Sequence, residues 1–275
     1  MNFARATAAR AGVSSMPASR RDRVAVVTGL AGITVAAWIY VVIDAHRMAS
    51  MSTGMTSHSM MATMHAMAGV QRWTATEFGL RLLMWVVMMV AMMVPTAAPM
   101  TLIYAAVARK AAAQHNPVAP TFVFVAGYIA MWSLFSVAAT VAQWRLDRVA
   151  LLSPMMVSSS AVLGGALLIG AGIYQLTPLK QACLRHCRAP AQFLSRNWHS
   201  GTAGAFRMGL KLGAYCLGCC WILMGLLFVG GVMNLLWIAA IAAFVLLEKT
   251  IPFGAAAGWF AGAAMILVGA LSLAR

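Results

Sequence analysis

The sequence predicts an all-α protein, a bundle of six or seven transmembrane helices. Of its 275 residues, 62% are hydrophobic and only 9% are charged, and the mean hydropathy is +0.83. Soluble domains carry roughly 25% charged residues, so this chain has too few to cover a globular surface in water. Apolar runs of about 20 residues, the length that spans a bilayer, recur along the chain.

The spans are predicted from these apolar runs, taken in chain order. They cover residues 24–43, 78–107, 121–143, 160–177, 212–233, 235–247 and 254–273. Pro95 and Pro99 are expected to kink or break the second run, because proline removes a helical hydrogen bond. The last two runs also fit one broken element, which gives six spans. Gly254, Gly258 and Gly262 form a small-residue stripe, which favours close helix contact within the bundle.

Four segments follow from this pattern. Residues 1–23 form a basic tail, 24–44 a first anchor, 45–75 a Met/His-rich loop and 76–275 a multi-span membrane domain. The first anchor is expected to remain uncleaved, although a signal peptide is the alternative. Fourteen Lys and Arg residues fall on the side of the N-terminus and five on the other. That asymmetry predicts a cytoplasmic N-terminus for the multi-pass protein.

The net charge of +15 raises the question whether the protein binds nucleic acid or anionic lipid. The basic residues lie in short loops between apolar runs, which favours contact with the anionic headgroups of the lipid bilayer. A nucleic-acid partner is not expected, because no basic stretch has aromatic interleaving on a soluble scaffold.

Three cysteines in the fifth run are the strongest chemical signal. On a helix, Cys216, Cys219 and Cys220 occupy positions i, i+3 and i+4 and share one face. Thiolates select soft ions such as Cu(I), as well as zinc. The alternative is packing, because cysteine also behaves as a small apolar residue.

A second pair, Cys183 and Cys187, lies at i and i+4 just after the fourth run. The fourth run ends and the fifth begins at the predicted inner face. The two cysteine clusters are therefore expected to meet there, with Cys216 about one turn inside its helix. Glu248 falls at the same level, and a carboxylate at a membrane boundary is a candidate metal ligand. The alternative for Glu248 is an ion pair with Lys249 or with another basic loop residue.

Methionine supplies the other soft ligands. The loop 45–75 carries seven methionines together with His58 and His65, and thioethers and imidazoles both bind copper. In the second run, Met88, Met92 and Met93 lie on neighbouring turns of the predicted helix. Together they suggest a route from an outer Met/His loop through a methionine ladder to the inner cysteines. The alternatives are a pliable amphipathic segment on the membrane surface and ordinary side-chain packing.

Four stretches carry a resemblance to a known family. They are residues 85–95 (WVVMMVAMMVP), 174–190 (YQLTPLKQACLRHCRAP), 216–224 (CLGCCWILM) and the pair Glu248-Lys249. The chain resembles, from about Glu77 onward, a bacterial family of predicted metal-binding integral membrane proteins of unknown function. The resemblance implies a multi-pass protein of the bacterial inner membrane and metal binding, and no reaction. The Met/His loop is similar only in ligand type to the outer methionine clusters of eukaryotic copper importers.

The sequence therefore predicts a membrane protein that binds a soft metal ion, with Cu(I) favoured and movement across the membrane as an extension. One alternative is an accessory protein for metalloenzyme assembly, with a metallochaperone or metalloenzyme as partner. Another is a thiol redox protein. An enzyme is not expected, because no hydrolase triad, phosphate-binding loop or paired-carboxylate site is recognisable.

Overall fold

A computed structural model describes residues 20–53, 73–114, 119–148, 161–251 and 254–274. Every regular element in these ranges is a helix, which confirms the predicted all-α class. The helices are α1 (Arg20–Thr53), α2 (Ala75–Ala113), α3 (Thr121–Arg148), α4 (Ala161–Leu176), α5 (Pro178–Arg188), α6 (Pro190–Asn197), α7 (Gly201–Gly225), α8 (Leu227–Gly230), α9 (Leu235–Thr250) and α10 (Gly254–Leu273).

Helix α2 is the longest element and the centre of the core. It begins with a capping box, in which Thr74 Oγ1 accepts from the Glu77 amide at 3.2 Å and Glu77 Oε2 accepts from the Thr74 amide at 2.7 Å. The helix continues through Pro95 and Pro99, so it is not broken there, and a kink at these prolines stays a prediction. Helix α1 packs along α2, and α3 and α9 also contact α2.

Glycines let α3 and α7 approach closely. A Cβ atom added at Gly127 would run into the Phe206 carbonyl oxygen, and one added at Gly209 would run into the Phe124 carbonyl oxygen. Each glycine thus faces the backbone of the other helix. This reciprocal contact holds α7 against α3, as small residues do between membrane helices.

The glycine stripe of α10 makes contacts within the bundle, as predicted. A Cβ atom added at Gly262 would lie 3.0 Å from the Gly172 carbonyl oxygen on α4. At Gly258 the added atom would lie 2.6 Å from Glu248 Oε1 on α9. The glycine stripe therefore allows close contact both with α4 and with the buried Glu248 side chain of α9.

Helices α5 and α6 occupy the segment that the sequence pattern assigned to a loop. Thr177 ends α4 and caps α5, its Oγ1 accepting from the Lys180 amide at 3.3 Å, while Pro178 begins α5. The axes of α4 and α5 meet at 65°. Leu184 of α5 and Phe193 of α6 are buried against the bundle, and this packing explains why a short basic segment is helical.

Five helices in the described ranges are long and apolar enough to cross a membrane, and six if the bent pair α4–α5 is one span. Helix α9 has only 16 residues. The predicted count of six is therefore reached only with the bent pair, and these ranges do not supply seven. Large apolar side chains such as Phe122, Leu236 and Phe260 lie exposed on the outside, where a bilayer would cover them.

Candidate metal centre

Cys216 lies deep within α7. Helix α7 begins at Gly201, so Cys216 stands about 23 Å along the axis at about 1.5 Å per residue. The prediction that it lies about one turn inside the helix is wrong, because α7 begins well before the apolar run at 212. Cys216 is buried, with 2% of its surface exposed.

Polar groups from three other helices surround the Cys216 thiol. Lys249 Nζ of α9 lies 2.8 Å from Cys216 Sγ, and Tyr128 Oη of α3 lies 3.0 Å from it. Lys249 Nζ also donates to Thr96 Oγ1 of α2 at 3.2 Å. The Tyr128 hydroxyl donates to the Met93 carbonyl at 3.0 Å. The cysteine is thus the centre of a buried polar network inside an apolar bundle.

The two cysteine clusters meet at the interface of α5 and α7, as the sequence pattern led us to expect. The Cys187 side chain interacts with the Cys219 side chain. Cys183 packs over Gly218, where an added Cβ atom would lie 2.9 Å from its Sγ. The glycine in the middle of the α7 cluster therefore makes room for a thiol of α5.

The thiols of α7 do not share one role. Cys219 Sγ and Cys220 Sγ each donate to the Cys216 carbonyl oxygen at 3.0 Å. Such bonds back to the preceding turn are common for small polar side chains in helices. Of the three α7 cysteines, Cys216 lines the cavity described next.

A small cavity adjoins Cys216. Its volume is about 10 Å³, which is the space of about one water molecule. Three sulfur-bearing side chains line it, Cys187, Cys216 and Met100. The other lining residues are Thr96, Ala97, Tyr128, Leu212 and Lys249. Residues with soft sulfur ligands from three different helices thus line one cavity.

No closed cage of charged ligands exists in the part of the chain that the structure describes. Within it, no three side chains of His, Cys, Asp and Glu are grouped so that they could hold one metal ion. All five cysteines are free thiols. A metal site at this cavity would therefore use the thiols of Cys187 and Cys216 together with Met100. Methionine is not one of the four residue types in that grouping, which covers His, Cys, Asp and Glu.

Glu248 belongs to a neighbouring ion pair. Both of its carboxylate oxygens accept from Lys180 Nζ at 2.7 Å. Gln175 Nε2 also donates to Glu248 Oε1, at 2.6 Å. Lys180 and Glu248 are both buried, with 0% and 3% of their surface exposed. The structure thus shows an ion pair with a basic residue, the alternative given for Glu248, and metal binding by Glu248 stays a prediction.

The remaining predicted ligands are placed as follows. Met88, Met92 and Met93 are all buried in α2, with at most 1% of their surface exposed. They lie outside the cavity lining, so their role as ligands stays a prediction. His58 and His65 fall outside the residues that the structure describes, as does most of the Met/His loop.

The sequence reasoning missed Met100, Tyr128, Lys180 and Lys249 as parts of this region. Met100 stands seven residues after Met93, on the same helical face, but the two prolines hid the continuation of the stripe. Tyr128 and Lys180 come from separate helices and had no local pattern to mark them. Lys249 was predicted only as an ion-pair partner of Glu248, and not as a neighbour of Cys216.

A larger cleft lies elsewhere, over Tyr215. Its volume is about 350 Å³, and Arg185, His186 and Arg196 are among the residues that line it. No cysteine or methionine is among the residues that line this cleft.

Comparison with known proteins adds one finding. A family model with the description copper chaperone, PpoB2, matches residues 82–272. The matched region begins within α2 and contains the cavity, all five cysteines and the Lys180–Glu248 pair. No curated protein and no solved structure matches the chain.

Proposed function

Because the chain belongs to the PpoB2 family of copper chaperones, matched over residues 82–272, we propose that it is a membrane-embedded carrier of Cu(I). It holds the ion at the cavity beside Cys216 and passes it to a copper-requiring protein. This proposal joins the family description to a particular place in the bundle.

The lining of the cavity is the observation that carries the proposal. Cys187, Cys216 and Met100 converge there from α5, α7 and α2. Thiolates and thioethers are the soft ligands that favour Cu(I) in proteins. Hard ions such as Mg²⁺ and Ca²⁺ need several oxygen ligands, which this lining does not supply.

Membrane location is part of the proposal. Its support is the set of five apolar helices in the described ranges, or six with the bent pair, and the apolar side chains exposed on the outside. The excess of Lys and Arg on one side favours a cytoplasmic N-terminus. A reporter that is active only in the periplasm, fused after Gly69, should be active. An inactive reporter there, with an active one at the N-terminus, would reverse this orientation.

A Cu(I) competition titration tests the metal site. The detergent-purified protein is titrated against a chelator of known affinity. Replacing Cys216 or Cys187 with Ser should weaken Cu(I) binding strongly, because a hydroxyl is a hard ligand that stays protonated. Binding as tight as in the parent would show that the cysteines serve packing.

Two methionine variants give a matched comparison. Met100→Leu removes a thioether from the cavity wall, whereas Met224→Leu makes the same exchange at a buried position of α7 that does not line the cavity. Only the first should weaken Cu(I) binding. Equal losses in both variants would assign the effect to packing.

Movement of Cu(I) across the membrane is a second candidate. Met84, Met88 and Met92 form a buried stripe at four-residue spacing along α2, which favours it. Uptake of Cu(I) into vesicles that contain the purified protein tests this candidate. The copper content of the purified protein, with and without the cysteines, separates copper binding from thiol redox chemistry.

The Met/His loop is proposed to capture copper before it reaches the cavity. Thioethers are neutral and bind Cu(I) more weakly than thiolates do. Removing the loop methionines should therefore reduce copper loading at low supply, and more copper should restore it. A loss that excess copper does not restore would contradict this role.

A further inference from the structure

Lys249 is a buried ammonium group in the wall of the cavity. The residue is 8% exposed, and its Nζ contacts Cys216 Sγ at 2.8 Å and Thr96 Oγ1 at 3.2 Å. Among the residues that the structure describes, no carboxylate forms an ion pair with it. The neighbouring Glu248 is already paired with Lys180 at 2.7 Å. The direct polar contacts of Lys249 Nζ are therefore a thiol and a hydroxyl.

Charge balance matters here because a net charge inside an apolar bundle is costly. Cys187 and Cys216 must each release a proton to solvent to bind a metal ion. Their two negative charges then face the single positive charge of Lys249. A monovalent ion completes a neutral site, whereas a divalent ion leaves one positive charge in excess.

We propose that Lys249 makes this site selective for a monovalent soft cation, Cu(I), over divalent ions such as Zn²⁺. The inference rests on the proposed function, since it concerns the same cavity. Ligand softness alone does not give this selectivity, because zinc also binds thiolates readily. Lys249 adds discrimination by charge.

The number of thiolates decides whether the charge of Lys249 favours a monovalent or a divalent ion. A third thiolate would add one negative charge, and a divalent ion would then give the neutral site. Two features favour two thiolates. Of the cysteines, Cys187 and Cys216 line the cavity. Cys219, whose side chain contacts both of them, does not line it and donates to the Cys216 carbonyl oxygen at 3.0 Å.

The test compares Cu(I) and Zn²⁺ affinities in full-length purified variants by competition with chelators at one pH. Lys249→Met and Lys249→Gln remove the charge, and glutamine keeps a hydrogen-bond donor. Lys249→Arg keeps the charge. The ratio of Cu(I) to Zn²⁺ affinity should fall by about a hundredfold to a thousandfold in the Met and Gln variants, as expected for two unit charges about 4–6 Å apart at an effective dielectric constant of about 20. In the Arg variant it should stay within about tenfold of the parent, since guanidinium keeps the charge but not the shape of the ammonium group.

The outcomes separate the two ideas. A parent protein that binds no Cu(I) overturns the proposed function and this inference with it. A parent that binds Cu(I), with Met and Gln variants that keep its ratio, overturns the inference alone. A ratio that falls as far in the Arg variant shows that geometry, and not charge, sets the preference. If Lys249→Met does not fold, as judged by size-exclusion chromatography, the Gln and Arg variants decide.

Discussion

Lys180 and Lys249 are both buried lysines near the cysteines, yet they have different partners. Lys180 donates to both oxygens of Glu248, so its charge is balanced within the protein. Lys249 contacts a thiol and a hydroxyl, so its balance depends on the state of the thiol. The first arrangement joins α5 to α9, and the second leaves a charge available to a bound ion.

The largest effect is expected from Lys180→Met. This change leaves the Glu248 carboxylate buried without its cation, which costs about 3–5 kcal/mol. Loss of helix content during titration with a denaturing detergent measures it. A loss below about 1 kcal/mol, the scale of an exposed ion pair, would show that the pair is not a structural link.

Replacing both partners should cost less than replacing one. The double variant Lys180→Met with Glu248→Met leaves no buried charge unpaired, and such apolar replacements are often close to neutral. We expect its stability to lie within about 2 kcal/mol of the parent in the same titration. A double variant less stable than Lys180→Met would contradict the charge argument.

Tyr128→Phe tests the polar contacts around Cys216, the thiol that Lys249 contacts. It removes a hydroxyl that lies 3.0 Å from Cys216 Sγ and donates to the Met93 carbonyl. Thr96 also donates to that carbonyl, at 2.8 Å, so the expected cost is only about 1 kcal/mol. The Cu(I) to Zn²⁺ affinity ratio should change less than in Lys249→Met, because no charge is lost.

Lys211→Met should have the smallest effect. Lys211 is exposed, and its Nζ donates to Asn197 Oδ1 at 2.6 Å. An exposed substitution of this kind usually changes stability by less than about 0.5 kcal/mol. Both the unfolding titration and the metal affinity ratio should match the parent. A fall in the ratio would mean that overall positive charge, and not Lys249 in particular, governs metal choice.

Local patterns explain what could be predicted from the sequence. Apolar runs predicted most of the helices, and the spacing of Cys216, Cys219 and Cys220 predicted their common helix. The convergence with Cys183 and Cys187 was predicted from consecutive helices meeting at one end, but in the structure α5 packs against α7 well beyond its first turns. The start of α7 was misjudged because Arg207 and Lys211 lower the hydropathy of its first turns.

Local sequence patterns could not predict which side chains of distant helices contact each other. Glu248 and Lys249 are adjacent in sequence, but on a helix they point about 100° apart. They therefore meet different neighbours, Lys180 on α5 and Cys216 on α7. Nothing in a single sequence shows which of the two residues faces which helix.

If Cu(I) occupies the cavity as proposed, the small size of the cavity limits how fast the ion can leave. A space of about 10 Å³ admits no chelator or ligand loop from another protein while the helices stay packed. Release must then wait for the helices around Cys216 to separate. Once an acceptor is abundant, adding more of it will not accelerate transfer, and an acceptor that shortens the wait must act by docking and opening the bundle.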